Sequence, residues 1–435
     1  KIEAAKLGKA FTLECNALPP MAQMWRTGLP WNKDSLEQCL IDYEDDAKEM
    51  GNEFIRELDN ALPEDKKLPR EENGDYNLRA KDEGSIRLGT KKYKGFNIKS
   101  SKQLLEKLEI LLGYSPKDSN GKKSVSREAL RKCAADSETI QTLMNWKKTE
   151  KRRQMLASIQ EKMADDGFVR ASYMQLGADT GRMSSIKPNN QQIPRDAEFR
   201  QCVEAPEGWV IVDADFSQME LRLAAALAND RNMIKAFKDG ADLHDYTAEQ
   251  MGCDRQIAKS ANFGLLYGAG SEGLRNYAGS SGVLMSLDEA AKVRDNWLST
   301  YNGIQDWQNK NYIEAKESKE DEWAETRVPV SGMRRFLKGD LNRITVRCNT
   351  PIQGAGAAIL KCSLGKLWKS VKEAGEDTVK IAAAVHDEII LLVKEEHAEE
   401  WSKTLKDIME RSESLWLGEI PALAEVQIGK TWREV

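Results

Sequence analysis

The sequence predicts an α+β chain in which helices outnumber a small β component, and three observations predict it. A β-type run from Trp209 to Ala214, Trp-Val-Ile-Val-Asp-Ala, passes through Asp215 into the helical spacing of 217–228. Two more apolar, β-rich runs, 380–384 and 388–393, are separated only by Val385-His386-Asp387, which predicts a hairpin with a polar tip. Most of the remaining periodic sequence repeats at three- and four-residue steps, the spacing of amphipathic helices.

Taken in order, residues 34–60 read as a helix with a charged outer face, and 61–95, rich in Pro, Gly, Lys and Glu, as a long loop. Helical spacing resumes at 101–112 and 126–157. The second stretch carries Lys147, Lys148, Arg152 and Arg153, a pattern equally suited to a solvated face and to phosphate binding. The strand at 209–214 delivers Asp215 to a strand–helix junction. Helices are expected again over 253–267, over 286–301 with the capping box Ser286-x-x-Glu289, and over 349–374. The hairpin then sets Asp387 at its tip.

A chain of 435 residues exceeds what one core usually organises, so two or three subdomains are expected. With 40% hydrophobic and 31% charged residues it lies far from the disordered regime. No stretch approaches the roughly 20 apolar residues that span a bilayer, and the first residues lack the core of a signal peptide. An intracellular, cytoplasmic protein without membrane contact is expected. Seven scattered cysteines, odd in number and never in a Cys-x-x-Cys pair, fit reduced thiols. The absence of an initial Met suggests a fragment of something longer. Net charge is −5, but residues 31–80 hold 7 Lys/Arg against 15 Asp/Glu, whereas 121–160 hold 10 against 4. Positive charge is local.

Asp215 and Asp387 both end apolar strands, which one sheet would bring together. Such a pair suits Mg²⁺, a cation commonly held by one or two carboxylates plus substrate phosphates. Two ions about 3.5–4 Å apart activate an attacking hydroxyl and stabilise a leaving oxygen. Taken singly, an Asp at a strand end is more often a turn former or helix cap. Company for the pair comes from 255–268, where Arg255, Lys259, Phe263 and Tyr267 recur every fourth residue and form one slowly winding helical stripe. Cations followed by aromatics suit a nucleoside triphosphate, with phosphates at one end and the base stacked at the other. The bland alternative is an amphipathic helix whose cations snorkel. Of three histidines, His244 lies just before this stripe and His386 adjoins Asp387; His397 sits in a Glu-rich stretch and is read as structural.

Together these residues resemble family A DNA polymerases, the bacterial DNA polymerase I type with its bacteriophage relatives. Asp215-Phe216-Ser217-Gln218-Met219-Glu220-Leu221-Arg222 is similar to the family's motif A, the 255–268 helix to motif B, and His386-Asp387-Glu388 to motif C. Thr180-Gly181-Arg182, Pro188-Asn189, Gln191 and Asn349-Thr350-Pro351-Ile352-Gln353-Gly354 resemble the segments that face the primer–template minor groove. The resemblance extends over nearly the whole chain, and a bacteriophage or viral source is among the expectations it raises.

The resemblance implies a right-hand polymerase fold with an antiparallel-sheet palm and mainly helical thumb and fingers. It implies a remnant of an upstream exonuclease-like domain at 1–20, thumb at 21–170, palm at 171–232 and 341–435, fingers at 233–340, and no proofreading site in the fragment. It further implies template-directed extension of a primer 3′-OH by deoxyribonucleoside triphosphates, with pyrophosphate released, by a monomer in a bacterial or infected cell. By matching position, Asp215 and Asp387 would hold two Mg²⁺ ions (Mn²⁺ as substitute), assisted by the Phe216 carbonyl and by Glu388. Lys259, Arg255, His244, Gln218, Phe263 and Tyr267 would bind the nucleotide, with Lys259 also protonating the leaving group. Glu220 would close the space below the sugar 2′ position. Arg182, Asn189, Gln191, Asn349, Gln353 and His386 would bind the DNA. Phe216 and Met219 depart from the family's usual Tyr and Ile, Ala358 replaces a common Asp, and the stretch after Pro194 is one residue short, so Arg195 is given no role. A single-subunit RNA polymerase is the nearest rival, disfavoured by Glu220 and Glu388. A catalytically silent DNA-binding protein and a metal nuclease are the others.

Overall fold

The computed structural model describes residues 6–78, 95–118, 121–134, 137–318 and 322–435. Two compact units emerge, Leu36–Glu161 and Lys1–Ser35 together with Lys162–Val435.

The Leu36–Glu161 unit is helical. Its longest helix, Lys33–Ala61, begins just outside it, and Ser101–Leu112, Arg127–Cys133 and Glu138–Lys162 follow. Leu58, Leu104, Leu108, Leu130, Ile140 and Leu143 are fully or almost fully buried in its core. The stretch expected as one helix over 126–157 is therefore two. Each starts afresh: Ser126 caps the first by accepting from the Ala129 amide. Arg153 proves to be a structural cation. With Lys99 it neutralises Glu150, a buried carboxylate whose burial would raise it but which hydrogen bonds from Arg153, Gln154 and Lys99 hold down at about 2. Residues 79–94, most of the second half of the expected 61–95 loop, lie outside the described residues.

The second unit is built on a four-stranded antiparallel sheet in the order Ala424–Gly429, Trp209–Phe216, Glu388–Lys394, Val379–Val385. Its hairpin strand Ile389-Ile390-Leu391-Leu392-Val393 is wholly buried, as a continuous apolar run requires. Helices Gly8–Thr27, Ile344–Ala374 and Ala398–Leu417 pack with it. The Gly8–Thr27 helix runs unbroken past residue 20, where a domain boundary was expected. The first strand is two residues longer than its apolar run, so Asp215 lies inside the strand, and the turn to the Met219–Ala228 helix falls at Ser217-Gln218. The Ile344–Ala374 helix starts five residues earlier than expected and carries Asn349 within it.

Between 231 and 317 the chain is helical: Arg231–Lys238, Leu243–Met251, Arg255–Leu265, Ser271–Ser280, Leu287–Thr300 and Asn302–Glu317. The Ser286–Glu289 capping box forms as read, with the Glu289 carboxylate accepting from the Ser286 amide at 2.7 Å. No described helix is long and apolar enough to cross a membrane. Among the described residues no disulfide joins the cysteines.

Candidate functional site

Sheet register is what joins the two candidate carboxylates. Asp215 lies opposite Glu388, and the amide of the next residue, Phe216, approaches the Asp387 carbonyl oxygen at 3.4 Å. Asp387 occupies the two-residue hairpin tip with His386, whose φ of 58° is the left-handed conformation that such tight turns require. Burial pushes the Asp215 carboxyl up to about 7, reinforced by the charges of Asp387 and Glu388 and only partly offset by Arg195. Asp387 is raised as well, again chiefly by burial. One Asp215 oxygen, Oδ1, is buried without any hydrogen-bond partner.

Sequence reasoning missed part of this cluster. Asp213, two residues back on the same strand face, is buried and its carboxyl is raised by burial and by Glu388. Glu388, expected to support metal ions, is only 3% exposed, and its oxygens are already engaged. Arg200 reaches them at 3.3 and 3.4 Å, and the Trp432 indole N–H donates at 2.7 Å. Arg200 also stacks 4.1 Å above the Trp432 ring. These contacts fix the Glu388 carboxylate beside the strand pair. Arg195, given no role from sequence, stands 3.7 Å from Asp215 Oδ2. Alternation along the strand would have exposed Asp213; nothing local pointed to Arg200 or Trp432.

The Arg255–Leu265 helix begins at Asp254, whose side chain accepts from the Gln256 amide. Arg255 and Lys259 are exposed on it, and Phe263 is half-buried. Tyr267 falls past the end of the helix, in the turn before Gly268, whose φ is 77°. The four-residue stripe therefore covers three helical residues plus one turn residue. The helix stops there because Gln308 donates its side-chain amide to the Leu265 and Leu266 carbonyls, at 2.7 and 3.2 Å. Arg255 is paired with Asp245 and Asp242, while Lys259 makes no ion pair with the described residues. His244 lies on the neighbouring Leu243–Met251 helix, its ring centroid 5.3 Å from that of Phe263. Burial lowers its pKa, Arg255 and Lys259 add to the effect, and Asp242 and Asp245 offset part of it. Gln218 donates to Asp242 at 2.8 Å.

Glu220 links the two halves of the site. Its carboxylate accepts from Arg182 on one oxygen and from the Tyr267 hydroxyl on the other. Burial and Glu220 raise the Tyr267 phenol, which also hydrogen-bonds Gln353. Arg182, Asn189, Gln191 and His386 line one cavity of about 240 Å³. Gln191 stitches it to the hairpin, accepting from the His386 amide at 2.7 Å and donating to the Ala384 carbonyl at 2.8 Å. Asn349 and Gln353 stand one turn apart on the Ile344–Ala374 helix.

A half-buried carboxylate pair whose proton affinity is raised chiefly by burial, and at Asp215 also by the charges of Asp387 and Glu388, is a site that a divalent cation would relieve. Among the described residues no group of three or more His, Cys, Asp or Glu side chains is arranged to hold a metal by itself. Any cation held by this pair would complete its oxygen shell from substrate and water, as Mg²⁺ does in phosphoryl-transfer sites.

Comparison with known proteins gives a consistent result. The family model described as DNA polymerase family A matches residues 81–434. DNA polymerase I of Aquifex aeolicus (strain VF5) is 35% identical over 339 residues, covering 76% of this chain and 56% of the relative. DNA polymerase I of Streptococcus pneumoniae (serotype 4, strain TIGR4) is 32% identical over 369 residues, covering 78% of this chain and 40% of the relative. The chain spans about half the length of these curated relatives. A solved structure, the POL domain of Pol1 from M. smegmatis in complex with DNA primer-template and dNTP, matches with a TM-score of 0.77 at 23% identity, covering 97% of this chain and 70% of the other. That likeness shows the fold, a polymerase fold of mixed helix and sheet.

Proposed function

Since the chain belongs to DNA polymerase family A, we propose that it extends a primer 3′-OH along a DNA template with deoxyribonucleoside triphosphates, releasing pyrophosphate. The observation that carries this reading is that Asp215, on its strand, lies beside the hairpin tip that carries Asp387, with Asp215 Oδ1 buried and unpartnered.

Asp215 and Asp387, with the Phe216 carbonyl, are the groups that would hold two divalent cations, Mg²⁺ by the preference for carboxylate and phosphate oxygens. Such cations, when bound, would supply activation of the primer hydroxyl and neutralisation of the leaving group's charge. The protein's share is positioning and charge complementarity, which dominate phosphoryl transfer. Lys259, without an ion pair among the described residues, meets the triphosphate and donates a proton to the departing pyrophosphate. Arg255 exchanges Asp242 and Asp245 for phosphate oxygens. Phe263 offers its face to the incoming base and sugar. Glu220, fixed from both sides by Arg182 and Tyr267, fills the space a 2′-hydroxyl would need. Arg182, Asn189, Gln191, Asn349, Gln353 and His386 hold the primer terminus, reading minor-groove acceptors that are similar for all correct pairs.

The same reading assigns 21–170 to the thumb, 171–232 with 341–435 to the palm and 233–340 to the fingers, and takes the enzyme as a cytoplasmic monomer. The compact Leu36–Glu161 unit, which lies inside the proposed thumb, supports the first assignment. Extension of a labelled primer with deoxyribonucleotides, compared with ribonucleotides and with no primer, tests the function; efficient unprimed RNA synthesis would replace it with the RNA polymerase reading.

A further inference from the structure

We propose that Trp297 is a positioning residue for nucleotide binding: through Asn262 it locks His244 into the neutral tautomer that carries its proton on Nε2. The inference rests on the reading that His244 contacts the triphosphate.

It follows from counting protons in a closed network. Trp297, Asn262, Thr247 and Tyr301 are fully buried, and His244 is nearly so. The indole N–H of Trp297 lies 2.8 Å from Asn262 Oδ1, and an indole nitrogen can only donate. The amide of Asn262 is therefore fixed in one orientation, because the flipped form would set its NH₂ against the indole N–H. With Oδ1 facing Trp297, the Asn262 NH₂ faces His244 Nδ1 at 2.9 Å and Thr247 Oγ1 at 3.0 Å. Thr247 is free to accept, since its own proton goes to the Leu243 carbonyl at 2.5 Å and the Tyr301 hydroxyl, 2.6 Å away, donates to it.

Only one role remains for His244 Nδ1, that of acceptor. The ring proton then sits on Nε2, which makes no hydrogen bond to the described residues and is left for a ligand oxygen. An imidazolium would place two N–H groups face to face at Nδ1, so the network also disfavours the charged form. Burial acts in the same direction, with Arg255 and Lys259 adding to it and Asp242 and Asp245 opposing it. The result is a neutral donor of fixed direction beside two cations. A phosphate oxygen, acceptor only, is the ligand chemistry that matches it.

The test is histidine ¹⁵N NMR of the ligand-free 435-residue chain at pH 7.5, with His244 assigned among the three histidines by its loss in His244→Gln. The wild type is expected to show Nε2–H at His244. Trp297→Phe keeps the aromatic ring but removes the donor; a mixture of tautomers is expected, with KM for deoxyribonucleoside triphosphates rising about tenfold and kcat changing less. Asn262→Asp supplies an acceptor to both sides and is expected to move the proton to Nδ1. A wild-type ring protonated on Nδ1, or a folded Trp297→Phe protein with an unchanged tautomer, would overturn the inference. If the tautomers shift as expected but His244→Gln leaves KM unchanged, the lock stands and the phosphate role of His244 falls.

Discussion

The Phe216 amide faces the Asp387 carbonyl across 3.4 Å, so the residue after one acidic group is tied to the other. The sheet, rather than a flexible loop, sets the spacing of Asp215 and Asp387. Rigid support of this kind is what a site that works by positioning needs.

The raised carboxyl of Asp215, pushed up by burial and then by its acidic neighbours, has a signature in stability. The folded Asp215 carboxyl titrates at about 7, above its unfolded value near 4, so between those limits the folded state holds a proton that the unfolded state has lost. Stability from this group therefore falls as pH rises from about 4 to about 7. In chelator-treated protein, Asp215→Asn should gain stability relative to wild type progressively across that window. Urea unfolding at several pH values checks it, and a difference independent of pH would contradict it.

Glu388 is an anion braced in the interior by Arg200 and Trp432. Arg200→Met should cost about 3–5 kcal/mol, because it leaves a buried carboxylate without its cation. Adding Glu388→Gln should recover most of that loss, the two changes being strongly coupled. A denaturant series on both variants measures the coupling; simple additivity would show that the pair does not act as a unit.

Sugar selection is assigned to Glu220, whose two oxygens are held by Arg182 and Tyr267. Glu220→Ala should raise ribonucleotide incorporation, relative to deoxyribonucleotide, by at least about tenfold. Paired single-nucleotide kinetics on one primer–template read the ratio directly. Unchanged discrimination would remove Glu220 from this role.

How legible was this in the sequence? The positions of Asp215 and Asp387 beside the sheet are legible because a β-branched run and a two-residue hairpin leave local marks, although the strand's true end, two residues on, leaves none. That Lys259 and Phe263 share one helix is legible because a helical period places them together. Tyr267 was misassigned to the helix because the device that ends it, the Gln308 side chain, comes from 42 positions away. Arg200 and Trp432 are 188 and 44 positions from Glu388, and no periodicity links them. Asn262 sat in plain view inside the motif, but its meaning depends on Trp297, a partner that only packing supplies. Local chemistry was readable, and contacts made by burial were not.

Primer extension by Asp215→Asn and Asp387→Asn, alongside duplex binding by the same proteins, tests the central claim most directly. Each variant should lose extension by several orders of magnitude while binding primer–template within a few-fold of wild type. Extension at the wild-type rate by either variant would contradict the assignment of these two carboxylates as the catalytic pair.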